Sequence, residues 1–205
     1  SEISLINQKG GCSKSTTAVH LICWLSSKGY KVKLIDADAQ GSSSTWLSSM
    51  ENNQISVTTL QSPDELLEQI PELAGQCDYL VVDGPAGLAE SSRAILFRTD
   101  LAVVPCQPTG LDLQSAGDAV RLIKQAQSVR GGAPKAAVFI SRAVKGTRLK
   151  DEAITLLSKT KEVTVLKTVI HQKQVIADTF GQAATIWDLS WRSAADSAQE
   201  YERLF

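Results

Sequence analysis

The most informative stretch of the chain covers residues 9–17, Lys-Gly-Gly-Cys-Ser-Lys-Ser-Thr-Thr, which follow an apolar strand-like run and open an amphipathic helix. Gly10 and Gly11 let the backbone turn tightly and point its N–H groups at phosphate oxygens, and the helix start adds the positive end of its dipole. Lys14 is placed to reach the β- and γ-phosphates, and the Ser15 hydroxyl is placed to take a magnesium ligand position. The stretch therefore predicts a nucleoside triphosphate as ligand.

Apolar runs rich in β-branched residues alternate with helical patterns along the whole chain, which is typical of βαβ units. This pattern predicts an α/β fold with a mainly parallel twisted sheet and helices on both faces. The predicted strands cover residues 3–7, 31–36, 55–59, 79–83, 101–105, 137–141 and 164–169. The predicted helices cover residues 15–27, 63–73, 111–129 and 149–158. The chain has 205 residues and no linker or repeat, so we expect one domain, residues 1–205.

Two predicted strands end in acidic residues, at the edge where open parallel sheets bind their ligands. Asp36 and Asp38 lie two residues apart after one strand, so both side chains can point toward the phosphates. Asp83 ends another strand, from which a carboxylate can hold Mg2+ through water, and the Gly-Pro pair after it predicts a switch loop. In an alternative interpretation, these acids cap a helix that starts near Ser42, but this explains only one of Asp36 and Asp38.

The phosphate loop departs from the standard G-x-x-x-x-G-K-[ST] pattern, because Gln8 and Ser13 replace its glycines and an extra lysine, Lys9, precedes Gly-Gly. It resembles K-G-G-x-G-K-[ST], the deviant Walker A box of the ParA/MinD superfamily of ATPases. The segment after Asp36 resembles the family's D-x-D-P-Q-G segment, with Ala39 in place of proline. The resemblance extends nearly from end to end and favours the small ParA type, which includes the carboxysome-positioning McdA proteins. A glycine-containing turn with surface lysines is the alternative interpretation of the loop.

The resemblance implies ATP and ADP, with Mg2+, as ligands, and it assigns roles to individual residues. Lys9 would reach the nucleotide of a partner subunit, Lys14 would bind the phosphates, and Asp38 would orient the attacking water, so these three are the expected catalytic residues. The expected Mg2+ site consists of Ser15, Asp36 and Asp83. The expected nucleotide contacts are Lys9, Gly10, Gly11, Cys12, Ser13, Lys14, Ser15 and Thr16, with Pro105, Gln107 and Arg142 near the base.

The formal net charge of −1 conceals an uneven distribution of charge along the chain. Residues 121–173 contain 12 Lys or Arg and 3 Asp or Glu, a balance of +9, whereas the remainder has a balance of −10. This asymmetry indicates a polyanionic partner for one face, unless the charges spread over several solvated helices. Together with the resemblance, it predicts a homodimer that binds nonspecific DNA in its ATP state and is released by a ParB-like or McdB-like adaptor protein. The cargo can be a plasmid or a carboxysome, and the expected location is cytoplasmic, on the nucleoid.

Two other functions occur on the same fold, membrane cycling as in MinD and ATP-dependent ligation of small carboxylates. The carboxy-terminal residues place aromatic and alanine side chains at helical spacing, but the charges between Asp188 and Arg203 are four acidic and two basic. Anionic lipid would repel such a helix, so we expect its apolar stripe to pack on the core and expect no membrane partner. A small-molecule ligase function does not explain the basic segment, residues 121–173. The four cysteines lie far apart and predict no structural metal site.

Overall fold

The computed structural model describes residues 1–7, 14–50, 54–87, 90–143, 164–171, 176, 185, 187 and 192–205. The strands in this part of the chain are β1 (Glu2–Asn7), β2 (Val32–Asp36), β3 (Ser56–Thr59), β4 (Tyr79–Ala86), β5 (Leu101–Cys106), β6 (Lys135–Ala143) and β7 (Thr164–His171). The helices described are α1 (Lys14–Ser27), α2 (Ser42–Ser49), α3 (Pro63–Ala74), α4 (Glu90–Arg98), α5 (Gly110–Arg130) and α6 (Arg192–Leu204).

The strands form one sheet in the order β3-β2-β4-β1-β5-β6-β7, and every neighbouring pair is parallel. The predicted parallel α/β fold is therefore confirmed, and each of the predicted strands is present. Because all strands run in the same direction, their carboxyl ends meet at one edge of the sheet. We call this the carboxyl edge and the opposite one the amino edge.

Alternate residues of a strand face opposite sides of the sheet, so each side has its own apolar core. Leu5 of β1 faces the side on which α1 and α2 pack, together with Trp46. Ile6, the next residue, faces the side covered by α3, α4 and α5, where Ile95 and Ile123 lie. Helices therefore cover both faces, as predicted.

Local sequence signals fix several helix ends. The Ser62 side chain accepts a hydrogen bond from the Glu65 backbone N–H at 3.4 Å, and Pro63 occupies the first position of α3. Gly29 follows α1 with a φ of 89°, and Gly131 ends α5 with a φ of 71°. Glycine adopts these left-handed conformations without steric cost, which explains why both helices end where the sequence predicts.

β4 extends further than predicted, because the Gly-Pro pair that starts at Gly84 continues the strand instead of opening a loop. The strand runs to Ala86, which pairs with Asn7 after a shift of register between Leu5 and Asn7. A Cβ atom on residue 84 would lie 2.6 Å from the Leu5 carbonyl oxygen, so the close approach of β1 and β4 requires glycine. The chain turns at Gly87, where φ is 101°.

The carboxy-terminal helix packs its aromatic residues against the sheet and α1. Tyr201 is 1% exposed and stacks on His20 of α1, with ring centroids 4.5 Å apart. The Phe205 ring lies 5.7 Å from that of Trp24. The prediction that this stripe forms core is confirmed for these residues. The predicted helix over 149–158 and Trp191 lie outside the described residues. Of α2, the sequence indicates only a start near Ser42, and it predicts no limits for α4, because both segments are short and mostly polar.

Candidate functional site

The candidate site lies at the carboxyl edge, where β1, β4 and β2 are neighbours. Asp36 ends β2 and is paired in register with Asp83 of β4, so the two acidic strand ends lie side by side. The first residue of α1, Lys14, lies beyond the end of β1 at the same edge. The parallel register thus brings together residues that are up to 69 positions apart in the sequence.

Lys14 is buried between two carboxylates. Its side chain is only 4% exposed, and its Nζ lies 3.5 Å from Asp38 Oδ2 and 3.7 Å from Asp83 Oδ1. A buried ammonium group is costly unless opposite charges compensate it, so these contacts fix where the Lys14 charge resides. The structure therefore places the Lys14 cation between Asp38, which the resemblance links to catalysis, and Asp83, which it links to magnesium.

Ser15 and Asp83 form the second contact of the site. The Ser15 hydroxyl donates a hydrogen bond to Asp83 Oδ2 at 2.8 Å. Burial raises the pKa of the Asp83 carboxyl, while the nearby Lys14 charge and the Ser15 hydrogen bond oppose this increase. A hydroxyl beside a carboxylate is a donor set that suits Mg2+, which prefers oxygen ligands and retains several waters.

The two acids of the Asp36–Asp38 pair have different surroundings. Asp36 accepts hydrogen bonds from the backbone N–H groups of Asp38, at 3.1 Å, and of Ser44, at 3.0 Å. Ser44 lies in the first turn of α2, so Asp36 caps this helix, and the capping interpretation accounts for its position. Asp38 instead accepts from the Gln40 N–H at 3.1 Å and faces Lys14. A magnesium role for Asp36 remains a prediction.

The expected base contacts lie at the same edge, on β5 and β6. Pro105 is near the end of β5, and its carbonyl oxygen accepts a hydrogen bond of 2.6 Å from the buried Asn7 side chain. Gln107 follows β5 in the loop before α5, and Arg142 lies in β6 beyond Ile140, the partner of the last β5 residue. Asn7 therefore ties the strand before the phosphate loop to the strand of the expected base pocket. The Arg142 side chain is outside the described part.

Several predicted contacts lie outside the described residues, namely Lys9, Gly10, Gly11, Cys12 and Ser13. Thr16 is described in the first turn of α1, and its carbonyl oxygen accepts a hydrogen bond of 2.7 Å from His20 Nδ1. The structure thus brings Lys14, Ser15 and Asp83 together with Asp38, while the roles of the phosphate-loop residues remain predictions.

Sequence reasoning overlooked two polar residues at this edge, Asn7 and Ser43. Both are buried, and Ser43 lies in the first turn of α2, next to the Ser44 N–H that Asp36 binds. No sequence signal separates Ser43 from its serine neighbours, because the run Ser42–Ser49 contains five serines. Asn7 could have been suspected as a polar residue at the end of an apolar strand.

The described residues contain no group of three or more His, Cys, Asp or Glu side chains able to hold a metal ion by themselves. Within the same described ranges, the structure has no helix with the length and apolar character needed to cross a membrane.

The chain is similar to known nucleotide-binding proteins over almost its whole length. The family model described as the CobQ/CobB/MinD/ParA nucleotide binding domain matches residues 3–185. "Maintenance of carboxysome distribution protein A" from Halothiobacillus neapolitanus is 24% identical over 204 residues, which cover 97% of this chain and 93% of that protein. The protein of the same name from Gloeobacter kilaueensis is 36% identical over 112 residues, 54% of this chain and 51% of that protein.

Among solved structures, the ATP complex of an aspartate-to-alanine variant of McdA from Cyanothece superposes with a TM-score of 0.80. The two chains share 16% sequence identity, and the superposition covers 98% of this chain and 93% of the other. At this level of identity the likeness shows a common fold.

Proposed function

Because the chain belongs to the CobQ/CobB/MinD/ParA family of nucleotide-binding domains, we propose that it is a Mg2+-dependent ATPase that positions a cargo on DNA. The observation that carries this proposal is the buried Lys14, held between Asp38 and Asp83 at the carboxyl edge. A cation, two carboxylates and the Ser15 hydroxyl at one helix start are the groups that phosphoryl transfer from a nucleotide requires.

The residues of the site have separate roles in this proposal. Lys14 leaves its carboxylates to bind the β- and γ-phosphates, and Ser15 with Asp83 and Asp36 would hold Mg2+. The ion would neutralise charge on the phosphate oxygens. The Asp38 side chain is 13% exposed, whereas that of Asp83 is 0% exposed. Once Lys14 has moved to the phosphates, the Asp38 carboxylate can orient a water for in-line attack. Placement and charge, rather than a covalent intermediate, supply the rate enhancement.

The second proposed phosphate lysine, Lys9, would come from a partner subunit, as the family resemblance implies. Hydrolysis would then require a homodimer that encloses two nucleotides. The ATP form would be the dimer and the ADP form the monomer, which makes every property of the dimer depend on the nucleotide.

Nonspecific DNA is the proposed partner of the dimer. The support is the balance of +9 in residues 121–173, of which Arg121 and Lys124 lie exposed on α5. Arg121 is 74% exposed, with Asp118 3.5 Å away as a weak surface partner. Two copies of the segment double the charge that can meet phosphate backbones, so binding should depend strongly on salt.

The proposed cargo is a carboxysome, because the two relatives named above are carboxysome distribution proteins. A plasmid is the other cargo that this type of ATPase serves. In either case a McdB-like or ParB-like adaptor would stimulate hydrolysis on the nucleoid, and the protein would return to the cytoplasm as ADP monomer. A membrane-cycling function finds no support in α6, whose Tyr201 and Phe205 pack on α1.

The test is binding to random-sequence duplex DNA with ATP, with ADP and without nucleotide, at two salt concentrations. We expect binding only with ATP, and we expect it to weaken at the higher salt concentration. The charge reversals Arg121→Glu and Lys124→Glu should reduce it, whereas Lys28→Glu, outside the basic segment, should have a smaller effect. Absence of binding in all states, in a protein that dimerises with ATP, would contradict the DNA function and favour a small-molecule ligase.

A further inference from the structure

The Asn7 side chain links two strands at a point beyond their last backbone pair. β1 pairs with β5 as far as Leu5, which lies opposite Val103, and continuing this register would place Asn7 opposite Pro105. There the Asn7 side chain takes over, because its Nδ2 donates a hydrogen bond of 2.6 Å to the Pro105 carbonyl oxygen. A side-chain amide therefore continues the contact between the two strands toward the carboxyl edge.

The backbone of Asn7 is paired with the other neighbour of β1. After the register shift that follows Leu5, Asn7 pairs with Ala86 of β4. The end of β5 is paired with β6 instead, where Cys106 lies opposite Ile140. The carboxyl edge thus has one half formed by β1 and β4 and another formed by β5 and β6, and the Asn7 amide joins them.

The two halves carry different parts of the expected nucleotide site. β1 leads into the phosphate loop, whereas β5 leads into the loop of Gln107, an expected base contact. The Gln107 carbonyl oxygen accepts hydrogen bonds from the Thr109 N–H at 2.9 Å and from the Cys106 thiol at 3.3 Å. Because these bonds hold Gln107 to its neighbours, a displacement of the Pro105 carbonyl group should also displace Gln107.

The hydrogen bond between the halves is shielded from water. Asn7 is 2% exposed, and Pro105 is buried as well. A buried carbonyl group that loses a donor has no bulk water to replace it, so loss of the Asn7 amide favours a rearrangement of the two strands.

We propose that Asn7 is a positioning residue that fixes the separation between the phosphate part and the base part of the nucleotide site. This inference rests on the proposed function, because it assumes that the phosphate loop and Gln107 bind the same nucleotide. A nucleotide spans both parts, so its affinity depends on their separation. The affinity of a ligand that occupies only the phosphate loop does not depend on it.

The experiment compares the affinities for ADP and for pyrophosphate, both with Mg2+, in the natural protein and in Asn7→Leu. Leucine is close to asparagine in size but cannot donate a hydrogen bond. We expect the ADP affinity to fall by about three- to tenfold, the value of one hydrogen bond, and the pyrophosphate affinity to stay unchanged. Asn7→Ala is the second variant if Asn7→Leu does not fold, and it should change the ratio of the two affinities in the same direction.

Ser4→Ala is the matched control, because it removes a similar contact between the same two strands, farther from the carboxyl edge. Ser4 is 0% exposed, and its hydroxyl donates to the Leu101 carbonyl oxygen at 3.3 Å. The Ser4 and Asn7 variants should both have a lower unfolding temperature, since each loses a buried hydrogen bond. Only the Asn7 variants should change the ratio of ADP affinity to pyrophosphate affinity.

Asn7 variants that keep the natural ratio would overturn the inference, and so would a Ser4→Ala protein that shows the same change of ratio. A natural protein that binds ADP no better than pyrophosphate would also overturn it, since the nucleoside would then contribute nothing to binding. A natural protein that binds neither ligand would reject the proposed function itself, and the inference with it.

Discussion

The two edges of the sheet both carry carboxylate pairs, but the pairs have opposite surroundings. At the carboxyl edge, Asp83 is fully buried, beside Lys14 and a donating hydroxyl. At the amino edge, Glu2 and Asp100 are near each other, and partial burial followed by the hydrogen bond and charge of Asp100 raises the pKa of Glu2. The amino-terminal charge opposes this increase only in part.

This difference follows from the direction of the strands. In a parallel βαβ fold, helices begin at the carboxyl edge, so their unpaired N–H groups and first-turn side chains point there. Asp36 is stabilised by one such N–H group, that of Ser44 in α2, and also by the N–H of Asp38 in the loop before this helix. In the described part of the chain, no helix begins beside Glu2 and Asp100. Burial raises the pKa of a carboxyl at both edges, but Lys14 and Ser15 oppose the increase at Asp83, whereas Asp100 adds to the increase at Glu2.

The largest expected effect comes from removing the cation of the carboxyl edge. Lys14→Ala leaves Asp83 and Asp38 without their buried counter-charge and removes the main phosphate contact. We expect ATP affinity to fall by about 100-fold or more, that is ~2.7 kcal/mol or more, and the free energy of unfolding to fall by about 3–5 kcal/mol. Calorimetric titration and denaturant unfolding measure both. Lys28→Ala, just after the same helix, is the control and should change neither by more than about 0.5 kcal/mol.

Asp38→Ala tests whether the acid that faces Lys14 acts in chemistry and not in binding. Loss of a group that positions the nucleophile should reduce the rate of ATP hydrolysis by about 10²- to 10⁴-fold, while ATP still binds and the dimer still forms. Single-turnover hydrolysis and size-exclusion chromatography with ATP measure these properties. Normal hydrolysis by this variant would remove the proposed role of Asp38. Asp118→Ala, which breaks only a surface ion pair of α5, should behave like the natural protein.

Gly84→Ala tests the close approach of strands that aligns the carboxyl edge. The added Cβ atom would lie 2.6 Å from the Leu5 carbonyl oxygen, so β1 and β4 must separate. We expect a loss of about 1–3 kcal/mol in unfolding free energy. Gly117→Ala is a matched control, because residue 117 lies within α5 and, apart from the backbone of its own helix and its chain neighbours, no atom of the described residues lies within 4 Å of the new methyl group. It should stabilise the protein by up to about 1 kcal/mol, and equal effects of the two variants would contradict this account.

The smallest expected effect is at the amino edge. Because the pKa of Glu2 is raised in the folded protein, the folded state binds this proton more tightly, and stability decreases as the pH rises through the pKa range of this carboxyl. Glu2→Gln should therefore be slightly more stable than the natural protein at pH 7, and this gain should disappear below the ordinary pKa of 4.5. Chemical unfolding at the two pH values gives the comparison. A gain that grows toward low pH would show that the sign is wrong.

Most of the correct predictions about the fold rest on signals between residues that are close together in the sequence. The strands are apolar and β-branched, Ser62 with Pro63 starts α3, and glycines end α1 and α5, so each of these signals acts within a few residues. The end of β4 was not predictable in this way. A Gly-Pro pair ordinarily indicates a turn, and the approach of Leu5 that keeps Gly84 in the strand comes from a segment 79 residues away.

The sequence by itself determined the parallel α/β fold, the phosphate-loop helix and the acids that end β2 and β4. Only the tertiary structure decided how these acids are used. The register of β2 with β4 brings Asp36 next to Asp83, while Asp36 caps the start of α2, Asp38 faces Lys14, and Ser43 is buried in the first turn of α2. The physical reason is that local patterns specify which residues form a strand or a helix, whereas hydrogen-bond partners and burial depend on segments that meet only when the sheet has formed.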